Sequence, residues 1–158
     1  MSLDIFLKVD GIEGESLDAA HPKEIVALSF GWSAANTVAS PGGGGGGAGK
    51  VQFRDLSVVK PVDKASPKLM LACATGRHIR QCVLAVRRAT AGDFMVLTLT
   101  DCVVTSIAES GSREAGAVQE TITLGFASIV VQERPQKPDG SFDTPVTAGW
   151  NTKTNAPI

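Results

Sequence analysis

The chain has almost no net charge to offer a partner. Its 158 residues carry 15 Lys and Arg against 16 Asp and Glu, a formal net charge of −1, with the two signs well mixed. No basic stripe marks a nucleic-acid face, so nucleic acid is not an expected partner. No apolar run approaches the roughly 20 residues that cross a bilayer, and no membrane insertion is expected. Histidine and cysteine are also scarce. The three cysteines, Cys73, Cys82 and Cys102, form no C-x-x-C, pair with neither of the two histidines and lie in apolar settings. They read as buried reduced thiols rather than as a redox or metal centre. There is no nucleophile elbow, no H-x-x-x-H and no carboxylate pair in an apolar setting. The expectation is a protein that is not an enzyme and needs no cofactor and no metal. The stretch Met1 to Lys8 lacks a basic run before an apolar one, so it is not a classical signal peptide. The chain is expected in the cytoplasm first and, if it is secreted, to leave by another route. Its length predicts a single domain over residues 1–158 with a substantial core.

What the chain does have is concentrated between Pro41 and His78. A glycine run, Gly42 to Gly47, is followed by Ala48-Gly49-Lys50. Gly44, Gly49 and Lys50 match G-x-x-x-x-G-K, the opening of a phosphate-binding loop. That loop then requires Ser or Thr for magnesium and a helix N-terminus aimed at the phosphates. Here Val51-Gln52-Phe53 follows, a strand by its alternation and β-branching, so the nucleotide reading is set aside. The alternative is a long loop whose ordering costs conformational entropy and therefore calls for contacts from a partner.

The one convincing helix runs from Ser66 as N-cap through Pro67 at the first helical position to Gly76 as the stop. From Leu69 to Ala74 it is apolar without a break, whereas a surface helix keeps a polar face. Either both sides are covered, one by its own sheet and one by a second subunit, or the helix is sunk in its own domain.

The rest reads as strand and turn. Asp4–Val9 puts Ile5, Leu7 and Val9 on one face. Ile25–Ser33 alternates Val26, Leu28, Phe30 and Trp32, the expected core face, with small Ala27, Ser29, Gly31 and Ser33. A strand is predicted over Val51–Lys60, with Arg54 and Asp55 in a cross-strand ion pair, and another over Ile79–Arg88. Phe94–Ile107 is a strand whose phase slips at Asp101-Cys102, which predicts a bulge or bend. Glu109–Gly116 reads as polar loop, Val118–Gln132 as one long strand, and Thr144–Asn151 as holding a last short one. His21, before a proline, reads as a surface or hinge residue. Seven or eight strands with one helix predict an antiparallel sandwich or barrel.

Several blocks are more specific: Asp4-Ile5-Phe6-Leu7-Lys8, Leu28-Ser29-Phe30-Gly31-Trp32, Asp63-Lys64-Ala65-Ser66-Pro67-Lys68-Leu69-Met70, Ala72-Cys73-Ala74-Thr75-Gly76-Arg77-His78, Leu124-Gly125-Phe126-Ala127 and Gly149-Trp150-Asn151. In this order, over nearly the whole chain, they resemble the haemolysin-coregulated protein (Hcp) family of bacterial type VI secretion. The resemblance implies a mainly β fold, an antiparallel two-sheet β-barrel with one flanking α-helix, like phage tail-tube proteins. It implies homo-hexameric rings that stack with further rings into a tube. That tube is capped by a spike, driven by a contractile sheath, and able to hold and protect small effector proteins in its lumen. On this reading Ala27, Ser29, Gly31 and Ser33 line the lumen. The loop of Pro41, Gly42, Gly43, Gly44, Gly45, Gly46, Gly47 and Lys50 reaches a neighbouring subunit. A free-standing secreted binding module is the alternative, and it would be a monomer at high concentration.

Overall fold

The computed structural model describes residues 2–37, 50–88 and 91–158. Among these the chain forms β1 (Leu3–Val9), β2 (Ile25–Ala27), β3 (Ser29–Gly31), β4 (Ala34–Asn36), β5 (Val51–Phe53), β6 (Leu56–Pro61), α1 (Ser66–Thr75), β7 (Ile79–Arg88), β8 (Gly92–Ser112), β9 (Ala117–Gly125), β10 (Ser128–Glu133), β11 (Val146–Asn151) and β12 (Ala156–Pro157). Every strand pairing is antiparallel.

The architecture turns on β8. Its first half pairs with β7 and β10, placing Leu97 opposite Leu84 on one side and Val131 on the other. Its second half pairs with β9, from Val103 opposite Gly125 to Ser112 opposite Ala117. The change of sheet falls at Asp101, whose φ of 52° is the left-handed region, and the β8–β9 register shifts between Val104 and Ser106. The phase slip expected at Asp101-Cys102 is therefore present, because one strand serves two sheets. The first sheet runs β12-β11-β10-β8-β7-β1-β2 and the second β3-β6-β9-β8. The fold is mainly β with one helix, as expected, but the two sheets share β8 without closing into a barrel.

The core lies between them. Leu7, Ile25, Leu84, Leu97 and Leu99 of the first sheet face Leu56, Val58, Ile122 and Leu124 of the second, all with no accessible surface. Each such Leu or Ile contributes about 1.5–3 kcal/mol relative to exposure. Leu69 and Ala72 of α1 are buried in the same core, and the helix packs against β8. The helix ends as its sequence requires. Gly76, at φ 64°, donates its N–H to the Cys73 carbonyl, and Arg77 donates to that of Ala72. At the other end Ala65, not Ser66, is the cap residue. The Asp63 carboxylate takes the Ala65 N–H at 3.0 Å, which leaves the Ser66 hydroxyl to accept the Asp63 N–H. The far side of α1 is open in the single chain, where Met70 and Leu71 are 52% and 59% exposed.

Several strand readings are corrected. Ile25 and Ala27 are the buried residues of β2, while Val26 and Leu28 are 44% and 51% exposed. The chain does not stay in one sheet. It bends at Leu28, whose N–H reaches the Val59 carbonyl, and leaves β1 for β6, so the inward phase slips by one residue. The Val51–Lys60 run breaks at Arg54-Asp55 as it passes from the β4–β5 ribbon into the second sheet, and among the described residues neither joins an ion pair. Glu109–Gly116 is not a loop: β8 and β9 continue as a two-stranded arm whose turn lies at residues 113–116. The long strand from Val118 breaks at Phe126-Ala127, where the chain passes to the first sheet. The strand β12, unread in the sequence, covers the end of β11 at Trp150 and Asn151.

Candidate functional site

The second sheet buries one face against the first and leaves the other open. Register decides which side chains share that open face. Ser29 lies opposite Val59, Val59 opposite Thr121, and Thr121 opposite Ala108. One row along, Gly31 faces Ser57, Ser57 faces Thr123, and Thr123 faces Ser106. The intervening Leu56, Val58, Ile122 and Leu124 are buried, so these two rows point away from the core. Across four strands they contain no charged side chain and nothing larger than Val or Thr. A Cβ built at Gly31 would meet no atom within 4 Å.

At the bulge in β8 the hydroxyls interlock. Thr105 Oγ1 donates to Asp55 Oδ2 at 2.5 Å, and Thr123 Oγ1 lies 2.7 Å from Thr105 Oγ1 and 2.5 Å from Ser106 Oγ. The three hydroxyls thus line up with their protons directed toward the Asp55 carboxylate, which is held in the break between β5 and β6. The face offers hydroxyls for hydrogen bonding.

Of the four residues expected to share this face, Ser29, Gly31 and Ser33 are exposed. Ala27 is not with them: only 7% of it is accessible and it points into the core, for the reason of phase given above. Ser57, Thr121, Thr123 and Ser106 were not foreseen as its neighbours. Their alternation is legible, but pairing across strands distant in sequence is not. Of the expected inter-subunit loop, residues 41–47 lie outside the described residues, and Lys50 is exposed at the start of β5.

Two polar clusters hold the surrounding frame. Lys60 of β6 has no accessible surface, and its Nζ contacts Glu120 Oε1 at 2.9 Å, Asp63 Oδ1 at 2.9 Å and Ser66 Oγ at 3.1 Å. This ties the second sheet to the start of α1. His21 is buried, not a surface residue: its ring stacks on Phe6 at 4.3 Å and sits between Glu24 at 2.9 Å and Asp93 at 3.0 Å. Burial pulls its pKa down, but the bonds to Asp93 and Glu24 outweigh that and hold it above the ordinary 6.5. Arg87 crosses the other side of Phe6 and binds Asp18 through both terminal nitrogens and Asp4 through Nε at 3.3 Å. That guanidinium holds the Asp18 carboxyl down at about 2. Together these contacts pin the long β1–β2 connection to the first sheet. Among the described residues no group of three His, Cys, Asp or Glu is arranged to hold a metal, and no helix is long and apolar enough to cross a membrane.

The fold and sequence both have close counterparts. A family model described as "Type VI secretion system effector, Hcp" matches residues 6–132. A protein named hcp1 from Pseudomonas aeruginosa is 40% identical over 159 residues, covering 98% of each chain. The crystal structure of Hcp1 from Salmonella typhimurium superposes with a TM-score of 0.84 at 36% identity over 100% of both chains. A further solved structure, described as that of a type six secretion system protein, reaches a TM-score of 0.94 at 29% identity, covering 99% of this chain and 100% of its own. A two-sheet domain flanked by one helix, with these counterparts, is a secreted structural component of type VI secretion. The chain belongs to the Hcp family.

Proposed function

We propose that this protein is the building block of the type VI secretion tube: a homo-hexameric ring that stacks with further rings and holds small effector proteins in its lumen. The observation that carries this is the open face of the second sheet. A wall that lets a cargo pass and also holds it weakly has to be wide and able to make scattered hydrogen bonds. Ser29, Gly31, Ser57, Thr121, Thr123 and Ser106 supply those properties over adjoining strands. In a closed ring β3, at one edge of this sheet, lies beside the next subunit, and closed symmetry leaves no edge free to aggregate. The role is structural rather than catalytic. It begins in the cytoplasm and continues in association with the spike and the contractile sheath. The exposed Met70 and Leu71 of α1 favour burial against another copy.

Gly31→Gln tests the luminal assignment. A Cβ at Gly31 meets no atom within 4 Å, so the longer side chain starts into open space. Native mass spectrometry is expected to show hexamers, while co-purification of a bound effector is expected to fall. A hexamer with undiminished effector retention removes Gly31 from the lumen. Monomers alone for the unsubstituted protein at micromolar concentration remove the ring itself.

A further inference from the structure

We infer that Glu109 and Glu120 hold one shared proton at the root of the β8–β9 arm, and that this proton governs how firmly the arm is held. The inference starts from an orphan. Glu120 has no accessible surface, and its Oε2 has no hydrogen-bond partner. Its other oxygen, Oε1, receives Lys60 Nζ. An ammonium has three hydrogens. Lys60 Nζ donates to Glu120 Oε1 and Ser66 Oγ and lies 2.9 Å from Asp63 Oδ1, and none of these contacts reaches Oε2. A buried carboxylate oxygen left without a donor is costly and rare.

The side chain facing Glu120 from the next strand is Glu109, directly opposite in the antiparallel register. A carboxylate donates only when it is protonated. One proton on Glu109, held as Oε–H toward Glu120 Oε2, satisfies the orphan. It also removes the repulsion between like charges placed opposite each other. The local charge count favours it. Among the described residues Lys60 of β6 is the one cation facing the pair, against Glu120 of β9, Asp63 of the turn before α1 and Glu109 itself. Ser66 of α1 is neutral, and Lys64, the other cation on that turn, is directed to Glu13. Glu109 accordingly protonates above its ordinary 4.5. The bond to Glu120 is the main cause, burial and the Glu120 charge act in the same direction, and Lys60 opposes them.

The position gives the proton a mechanical role. The Glu109–Glu120 rung is where the arm leaves the body: Glu120 still pairs with Lys60 of β6, and beyond it, among the described residues, the backbone links from the arm to β6 are Gln119, opposite Pro61, and the Val62 N–H to the Val118 carbonyl. A two-stranded ribbon is marginal alone. With Glu109 protonated, the rung is closed by a side-chain hydrogen bond. With Glu109 ionised, two carboxylates oppose each other at the arm's root and the arm loosens.

The test uses the full chain. Carboxyl carbon resonances of Glu109 are followed against pH, together with amide exchange protection of Gly111, Ser112, Ala117 and Val118. The expected midpoint lies above 4.5. Arm protection is expected to fall across it by about tenfold for each unit of that displacement. Glu109→Gln places a non-titrating donor at the same position, so its arm is expected to stay protected on both sides of the midpoint. A Glu109 midpoint at or below the ordinary value overturns the shared proton. A Glu109→Gln arm that follows the same pH profile as the unsubstituted protein overturns its control of the arm.

Discussion

Replacing Lys60 by Met should unfold this protein more readily than any surface substitution. The aliphatic stem is nearly isosteric, so the change removes the charge, two hydrogen bonds and the ion-pair contact to Asp63 while conserving volume. Glu120 is then a fully buried carboxylate without its cation, and Asp63 loses the cation that orders the start of α1. Removing one partner of a buried ion pair costs about 3–5 kcal/mol. A domain of this size loses about 2–4 °C in Tm per kcal/mol, so the expected drop is about 6–20 °C. The assay is urea and thermal denaturation at one fixed protomer concentration, because any assembly adds concentration-dependent stability. The second arm is Lys60→Met combined with Glu120→Leu, which removes the stranded charge as well. The double variant is expected to recover most of the loss, since apolar replacement of a buried pair is often neutral. A single variant within about 0.5 kcal/mol of the parent, the range of ordinary surface changes, would falsify the view that Lys60 is the buried link between sheet and helix.

Other outcomes follow from the remaining clusters. His21 gains its proton more readily in the folded state than in the unfolded one, so the stability it adds is complete below pH 6.5 and is lost as pH rises through the folded value. Denaturation midpoints against pH should show that decline, and His21→Gln should flatten it. Asp18 is the opposite case: its contribution is present above 3.8 and disappears as pH falls toward about 2, so Arg87→Met should move the onset of acid unfolding to higher pH, as circular dichroism will show. Cys82 and Cys102 are buried, and the Cys82 thiol is pushed up by its hydrogen bond to Cys102 and by burial. Ellman's reagent should leave both unmodified until the chain is denatured; prompt reaction of Cys82 in the native protein would contradict their placement in the core.

Much of this was legible in the chain itself. Local chemistry sets the limits of α1, because a Pro67 start and a Gly76 stop act within one turn of the residues they govern. Alternation gave β7 its boundaries and inward residues, Cys82, Leu84 and Val86. The phase slip marked the bend in β8. Tertiary structure alone decided which strand is next to which. Ala27 and Leu28 exchange places because the chain changes sheets between them, which no window of alternation can register. The hydroxyl face is assembled from β3, β6, β8 and β9, so its width depends on pairings that close long loops. His21 looks like a solvent residue in sequence; its burial and its character come from Phe6 and Asp93, placed beside it by the fold. A charge acts over a few ångströms in space, however far apart two residues lie along the chain.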